Sequence, residues 1–144
     1  METAANIITV AHVIQQAVAP VFLLTGVGAI LGVLSSRLGR VIDRYRALEK
    51  ITDSERSAYL TEIADLRRRS RLIHWAISLC TVCALFVCIV IAGLFIGSEI
   101  GKDPSGMVAA FFIAAMLALT AGLLCFLREI TLATGSINIH KKAR

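Results

Sequence analysis

Hydrophobic and polar positions fall along this chain in long blocks, and blocks of that length predict helices that cross a bilayer. From Ala17 to Leu34, eighteen residues pass without a charge, enough for a helix to span the hydrocarbon core. A second run, Leu72 to about Gly97, has twenty-six residues with no charge beyond what His74 can carry. The third, Met107 to Leu127, has twenty-one uncharged residues before Arg128-Glu129. The reading is an all-α integral membrane protein, one domain over residues 1–144, with three transmembrane helices.

Between the first two runs the pattern changes from apolar throughout to amphipathic. Leu38, Val41, Ile42, Tyr45 and Leu48 recur at helical spacing, with Arg37, Arg40, Asp43, Arg44, Arg46 and Glu49 around them. The first helix therefore continues beyond the apolar run and ends near Lys50. Thr52 and Glu55 fit a capping box that starts the next helix. That helix rises through Tyr59, Leu60, Ile63 and Leu66 to the basic cluster Arg67-Arg68-Arg69-Ser70-Arg71. Residues 36–71 are expected to form an antiparallel helical hairpin with apolar stripes face to face.

The ends are more polar. Residues 6–18 carry His12, Gln15 and Gln16, which share a helical face with Ala19. Such a face does not suit acyl chains, so this segment is expected at the outer headgroup level. Pro20 frees the carbonyl of Gln16 and favours a kink where the first membrane helix begins. The segment before it lacks the basic n-region of a signal peptide, and is expected to remain as part of the membrane helix. Residues 98–106, with Gly101, Pro104 and Gly106, read as a short loop, and 128–144 as a polar tail.

Charge then sets the orientation. Of fifteen Lys and Arg, ten lie from Arg37 to Arg71, four more are Arg128, Lys141, Lys142 and Arg144, and only Lys102 falls on the other side. Fourteen against one places the hairpin and C-terminal tail in the cytoplasm and the N-terminus outside. The net charge of +5 is accounted for by this bias, and no basic run interleaves with aromatics as a nucleic-acid platform would. Trp75 sits one turn inside Arg71, where an interfacial aromatic anchor belongs.

Candidate chemistry is sparse. Cys80 and Cys83 have the spacing of a redox or metal pair. They lie inside an apolar run, however, with no adjacent cation to favour a thiolate and no second pair to complete a metal set. Cys80, Cys83, Cys88 and Cys125 are read as small apolar residues, with no disulfide and no metal. No paired carboxylates, phosphate loop or nucleophile elbow is present, so neither an enzyme nor a cofactor is expected. All ten acidic residues fall outside the apolar runs, which argues against a proton-coupled carrier.

The strings Ala11–Gly26 (AHVIQQAVAPVFLLTG) and Arg37–Arg44 (RLGRVIDR), then Arg67–Ile73 (RRRSRLI) and Phe126–Ile130 (FLREI), resemble the small bacterial membrane family DUF2721, a domain of unknown function. The resemblance runs along nearly the whole chain. It implies a bacterial inner-membrane protein of three helices and brings no catalytic residues.

Three helices alone enclose no aqueous path, so conduction requires several copies around an axis. Gly28 and Gly32 form a GxxxG pair that lets backbones approach closely. One reading is a homo-oligomeric channel for inorganic ions with the first helix nearest the axis. His12, Gln15 and Gln16 would form its outer mouth, Thr25, Gly28, Gly32 and Ser35 its lining, and Arg37 and Arg40 rings at its cytoplasmic exit. The glycine pair can equally be a packing face within one bundle. The other reading is a non-conducting scaffold whose hairpin binds a protein partner or anionic lipid. There, Arg67, Arg68, Arg69 and Arg71 would hold lipid phosphates, or serve only as topology anchors.

Overall fold

The computed structural model describes the backbone of residues 2–50, 59–100 and 104–142, and the side chains of 10–50, 59–98, 100 and 104–134. Three helices follow one another among these residues: α1 Glu2–Glu49, α2 Leu60–Ile100 and α3 Ser105–Lys142. They contain 48, 41 and 38 residues, roughly 57–72 Å at helical rise, about twice the hydrocarbon thickness of a bilayer. Each contains a stretch long and apolar enough to cross a membrane. The chain is a multi-pass membrane protein.

The helices are longer than the apolar runs from which they were expected. α1 passes from residues 6–18 through Pro20 into the membrane run without a break in its helical backbone. The residues after Leu127 also continue α3 as far as Lys142, where a polar tail was expected. No glycine or proline interrupts the chain between Arg128 and Thr134, so nothing stops the helix there. The expected loop at 98–106 shortens, because α2 reaches Ile100 and α3 begins at Ser105. The capping box at Thr52 and Glu55, and Lys102, lie outside the described residues.

The fold divides into two compact units, residues 1–30 with 80–119, and residues 31–79 with 120–144. The interior of the first unit is built from small and medium side chains: Val13, Ala17 and Val27, then Cys80, Cys83, Val87 and Val90, then Ala115. Small residues suit helices that must approach closely without a hydrophobic driving force. Phe86 and Phe111 pack at 5.6 Å between ring centroids, tilted by 57°. Gly97 is required where α2 meets the start of α3, since a β-carbon there would run into the Pro104 ring. The Pro104 carbonyl accepts the Val108 N–H at 2.9 Å and closes the first turn of α3.

The second unit contains the expected hairpin. Leu34, Val41 and Leu48 of α1 are buried, as are Leu66, Ile73 and Ala76 of α2. The pair runs antiparallel: Arg44 Nε donates to Glu62 Oε1 at 2.8 Å, and Arg67 Nη2 to the Tyr45 hydroxyl at 3.5 Å. α3 joins this unit at its 120–134 portion, and its buried carboxylate is Glu129.

In all three helices most buried positions repeat every seven residues, with Ala17 and Gly93 buried outside the series. On α1 they are Val13, Pro20, Val27, Leu34, Val41 and Leu48. On α2 they are Leu66, Ile73, Cys80 and Val87, with Ala76, Cys83, Val90 and Gly97 as the second series. On α3 they are Ala115, Gly122 and Glu129. A seven-residue repeat is the seam of coiled-coil packing. It puts the two cysteines of the CxxC pair in the interior of the first unit and a carboxylate in that of the second.

Candidate functional site

Glu129 is the one buried charged residue among the described side chains, at 0% exposure. α3 brings it inward two turns after Gly122 on the seven-residue seam. Arg69, from the seam of α2, donates through Nε at 3.1 Å and Nη2 at 2.9 Å, both to Oε1. Arg37 of α1 places Nη2 2.9 Å from Oε2. That oxygen nonetheless accepts no hydrogen bond, because the Arg37 N–H is not aimed at it. The contact is an ion pair without hydrogen-bond geometry. The Arg37 guanidinium also lies 5.5 Å from the Phe126 ring centroid, a cation–π contact. The two arginine side chains keep 26% and 24% of their surface exposed.

This triad joins all three helices of its unit at one level. Arg37 follows Leu34 by three residues, Arg69 precedes Leu72 by three, and Glu129 follows Leu127 by two. An unpaired carboxylate or guanidinium at such a site would be costly, and paired they hold one arrangement of the helices. From sequence, Arg37 is expected on a pore and Arg69 among lipid anchors. The structure turns both inward to Glu129, which had no role assigned. The available signal was the seven-residue spacing from Ala115 through Gly122 to Glu129.

The other pore candidates, His12, Gln15, Gln16, Thr25, Gly28, Gly32, Ser35 and Arg40, are all exposed. Gln16, however, lines a groove with Val13, Pro20, Val90, Val108 and Phe112, and so is turned towards the other helices rather than outward with Gly28 and Ser35. Gln16 Nε2 donates to His12 Nε2 at 3.1 Å in the ring tautomer that carries its proton on Nδ1. Among the described residues, nothing lies within 4 Å of a β-carbon built on Gly26, Gly28, Gly32 or Gly39. Within one chain, therefore, the GxxxG pair is not a packing face.

The chain matches, over residues 17–139, the family described as "Protein of unknown function (DUF2721)". It belongs to this family. The match spans all three helices and includes Arg37, Arg69 and Glu129, along with most of the open face of α1. No curated protein and no solved structure matches the chain.

A third feature lies on the outward side of α2. Arg67, Arg68 and Arg71 line an open groove of about 420 Å³ with Leu60, Ile63 and Ala64. Arg69 is absent from this set because it points the other way, and the basic cluster thus splits into one half-buried and three exposed members. His74 and Trp75 are exposed beyond it. Cys80 and Cys83 are buried, Cys125 is half-buried and Cys88 is exposed, all four as free thiols.

Proposed function

We propose that the chain assembles with copies of itself into an ion channel of the bacterial inner membrane, with α1 nearest the axis. The supporting observation is a difference between outward faces that on α1 is confined to residues 25–36, since the helix before them exposes Val10, Ile14, Val18, Val21 and Phe22. On α3 that face carries Met107, Phe112, Ile113, Leu117, Leu123, Leu124 and Leu127, and on α2 it carries Val82, Leu85, Ile89, Phe95 and Ile96. Large apolar side chains of this kind suit acyl chains. From Thr25 to Ser36, α1 instead exposes Thr25, Gly26, Gly28, Ala29, Gly32, Ser35 and Ser36, with Val33 the sole large residue. Such a face exposes backbone and hydroxyl groups to whatever lies against it, with Thr25 Oγ1 donating to the Val21 carbonyl at 3.4 Å. It fits a close helix–helix contact or a narrow polar path better than lipid.

In this arrangement His12, Gln15 and Gln16 form the outer mouth, and Thr25, Gly28, Gly32 and Ser35 the lining. Arg40 stands at the cytoplasmic exit, as the fourteen-to-one bias of basic residues orients the chain. Arg37 is held by Glu129 and contributes to the positive potential without facing the path. Counting copies in nanodiscs by electron microscopy, together with ion flux from liposomes, tests the proposal. A ring with α1 innermost and measurable flux is expected; a monomer in both detergent and nanodisc overturns it.

The groove of Arg67, Arg68 and Arg71 favours a second reading, a non-conducting scaffold whose hairpin binds a protein partner or anionic lipid. The double substitution Gly28→Leu with Gly32→Leu separates the two. It abolishes flux in a channel and leaves hairpin binding intact in a scaffold.

A further inference from the structure

We infer that Arg37 and Arg69 form a binding site for one phosphate monoanion, the phosphodiester of an anionic membrane lipid, with Glu129 orienting the two guanidinium groups. Charge balance motivates the inference. Two guanidinium groups share one carboxylate, so the cluster carries a net positive charge although Glu129 is fully buried and each arginine about three-quarters so. Among the described residues, no other carboxylate pairs with Arg37 or Arg69. A largely desolvated, uncompensated charge is costly, and a bound anion removes the cost.

Hydrogen-bond accounting agrees. A guanidinium has five N–H donors. Arg69 uses two of them on Glu129 Oε1, and Arg37 makes an ion pair and a ring contact but no hydrogen bond to a described residue. Both side chains therefore combine unused donors with a remaining exposed edge. A phosphate oxygen pair matches the fork of such a donor set. Depth selects the source of the phosphate. The triad lies within three residues of Leu34, Leu72 and Leu127, where the three apolar runs end, which is the headgroup level of a bilayer. The site differs from the Arg67, Arg68 and Arg71 groove, whose guanidinium groups are exposed and lack a buried carboxylate to hold them.

The test is native mass spectrometry of the full chain released from bilayers of phosphatidylcholine with phosphatidylglycerol. The wild type is expected to retain one phosphatidylglycerol per chain. Arg37→Gln and Arg69→Gln are each expected to weaken retention about tenfold, the scale of a lost charge-assisted bidentate contact. The triple variant Arg67→Gln, Arg68→Gln, Arg71→Gln should stay within about twofold, because exposed charges contribute little. Glu129→Gln keeps an amide oxygen to accept from Arg69 where Oε1 does and raises the net positive charge, so it should retain lipid at least as well as the wild type. If that variant does not fold, Arg37→Lys, which keeps the charge and loses the fork, should fall between wild type and Arg37→Gln. Equal losses from the triple variant and from Arg37→Gln, or no retained lipid in the wild type, overturn the site. Displacement of the lipid by millimolar inorganic phosphate identifies free phosphate as the ligand and overturns the lipid assignment.

Discussion

The two faces of α1 treat their polar residues in opposite ways. On the inner face, Arg37 finds a buried carboxylate at 2.9 Å and an aromatic ring at 5.5 Å. Away from that face, Thr25, Ser35 and Arg40 are exposed, and among the described residues nothing lies within 4 Å of a β-carbon built on the glycines between them. An apolar helix tolerates one buried polar layer when opposite charges meet in it, and such a layer favours one register of the helices around it. It cannot leave a small, hydroxyl-bearing face against acyl chains without losing packing that larger side chains would supply. The inner face thus explains how one chain holds its shape. The outer face of residues 25–36 lacks a partner among the described residues, and that is where a contact between copies, as proposed, is to be sought.

The largest effect is expected from breaking the inner face. Glu129→Ala leaves two arginines without their counter-charge in a layer where the carboxylate is fully buried. Loss of one partner from a buried ion pair costs about 3–5 kcal/mol, so the thermal midpoint in mild detergent should fall sharply. Replacing all three members, as Arg37→Leu, Arg69→Leu and Glu129→Leu, should recover most of that stability, because the desolvation cost disappears along with the pairing. If the single and triple variants are equally unstable, the triad's pairing is not what Glu129 contributes.

Glycines on the two sides give the next contrast. Gly97→Leu forces a side chain into the Pro104 ring, and overpacking of this kind costs about 1–3 kcal/mol. Gly28→Leu and Gly32→Leu meet open space, and each replaces a poor helix former at a gain of up to about 1 kcal/mol. The chain should therefore unfold more easily after the first change and no more easily after the other two, while only the latter pair reduces the number of copies per particle. A loss of stability from Gly28→Leu would show that its face is packed within the chain.

What the sequence made legible follows contrast along the chain. The three spans and the hairpin were readable because charged and uncharged blocks alternate over lengths that only helices fill, and Leu38, Val41, Ile42, Tyr45 and Leu48 stand out against the charges around them. Inside Ala17–Leu34 there is no such contrast. Val27 is buried while Val21, equally apolar, is exposed, since lipid and protein interior accept the same side chain. The seven-residue seam is therefore invisible there until neighbouring helices are in place. Glu129 escaped notice for the complementary reason. It follows Arg128 at the end of an apolar run, where a charge normally marks the water boundary, and only the partners contributed by α1 and α2 show that it points inward.

The smallest expected effect separates two arginines three residues apart. Arg40 is exposed and Arg37 is three-quarters buried against Glu129, although both were expected to ring the exit of a pore. Arg40→Gln removes a surface charge, and changes of that kind usually alter stability by no more than about 0.5 kcal/mol. If α1 surrounds a conducting axis, one such charge per copy still shapes the local potential, and its loss should shift the anion-to-cation permeability ratio towards cations. The reversal potential in an asymmetric salt gradient reads that shift without depending on expression level. Arg37→Gln should lower stability first. A selectivity shift from Arg37→Gln with none from Arg40→Gln would reverse the assignment of faces and bring the triad, rather than the glycine-bearing side of α1, next to the path of the ion.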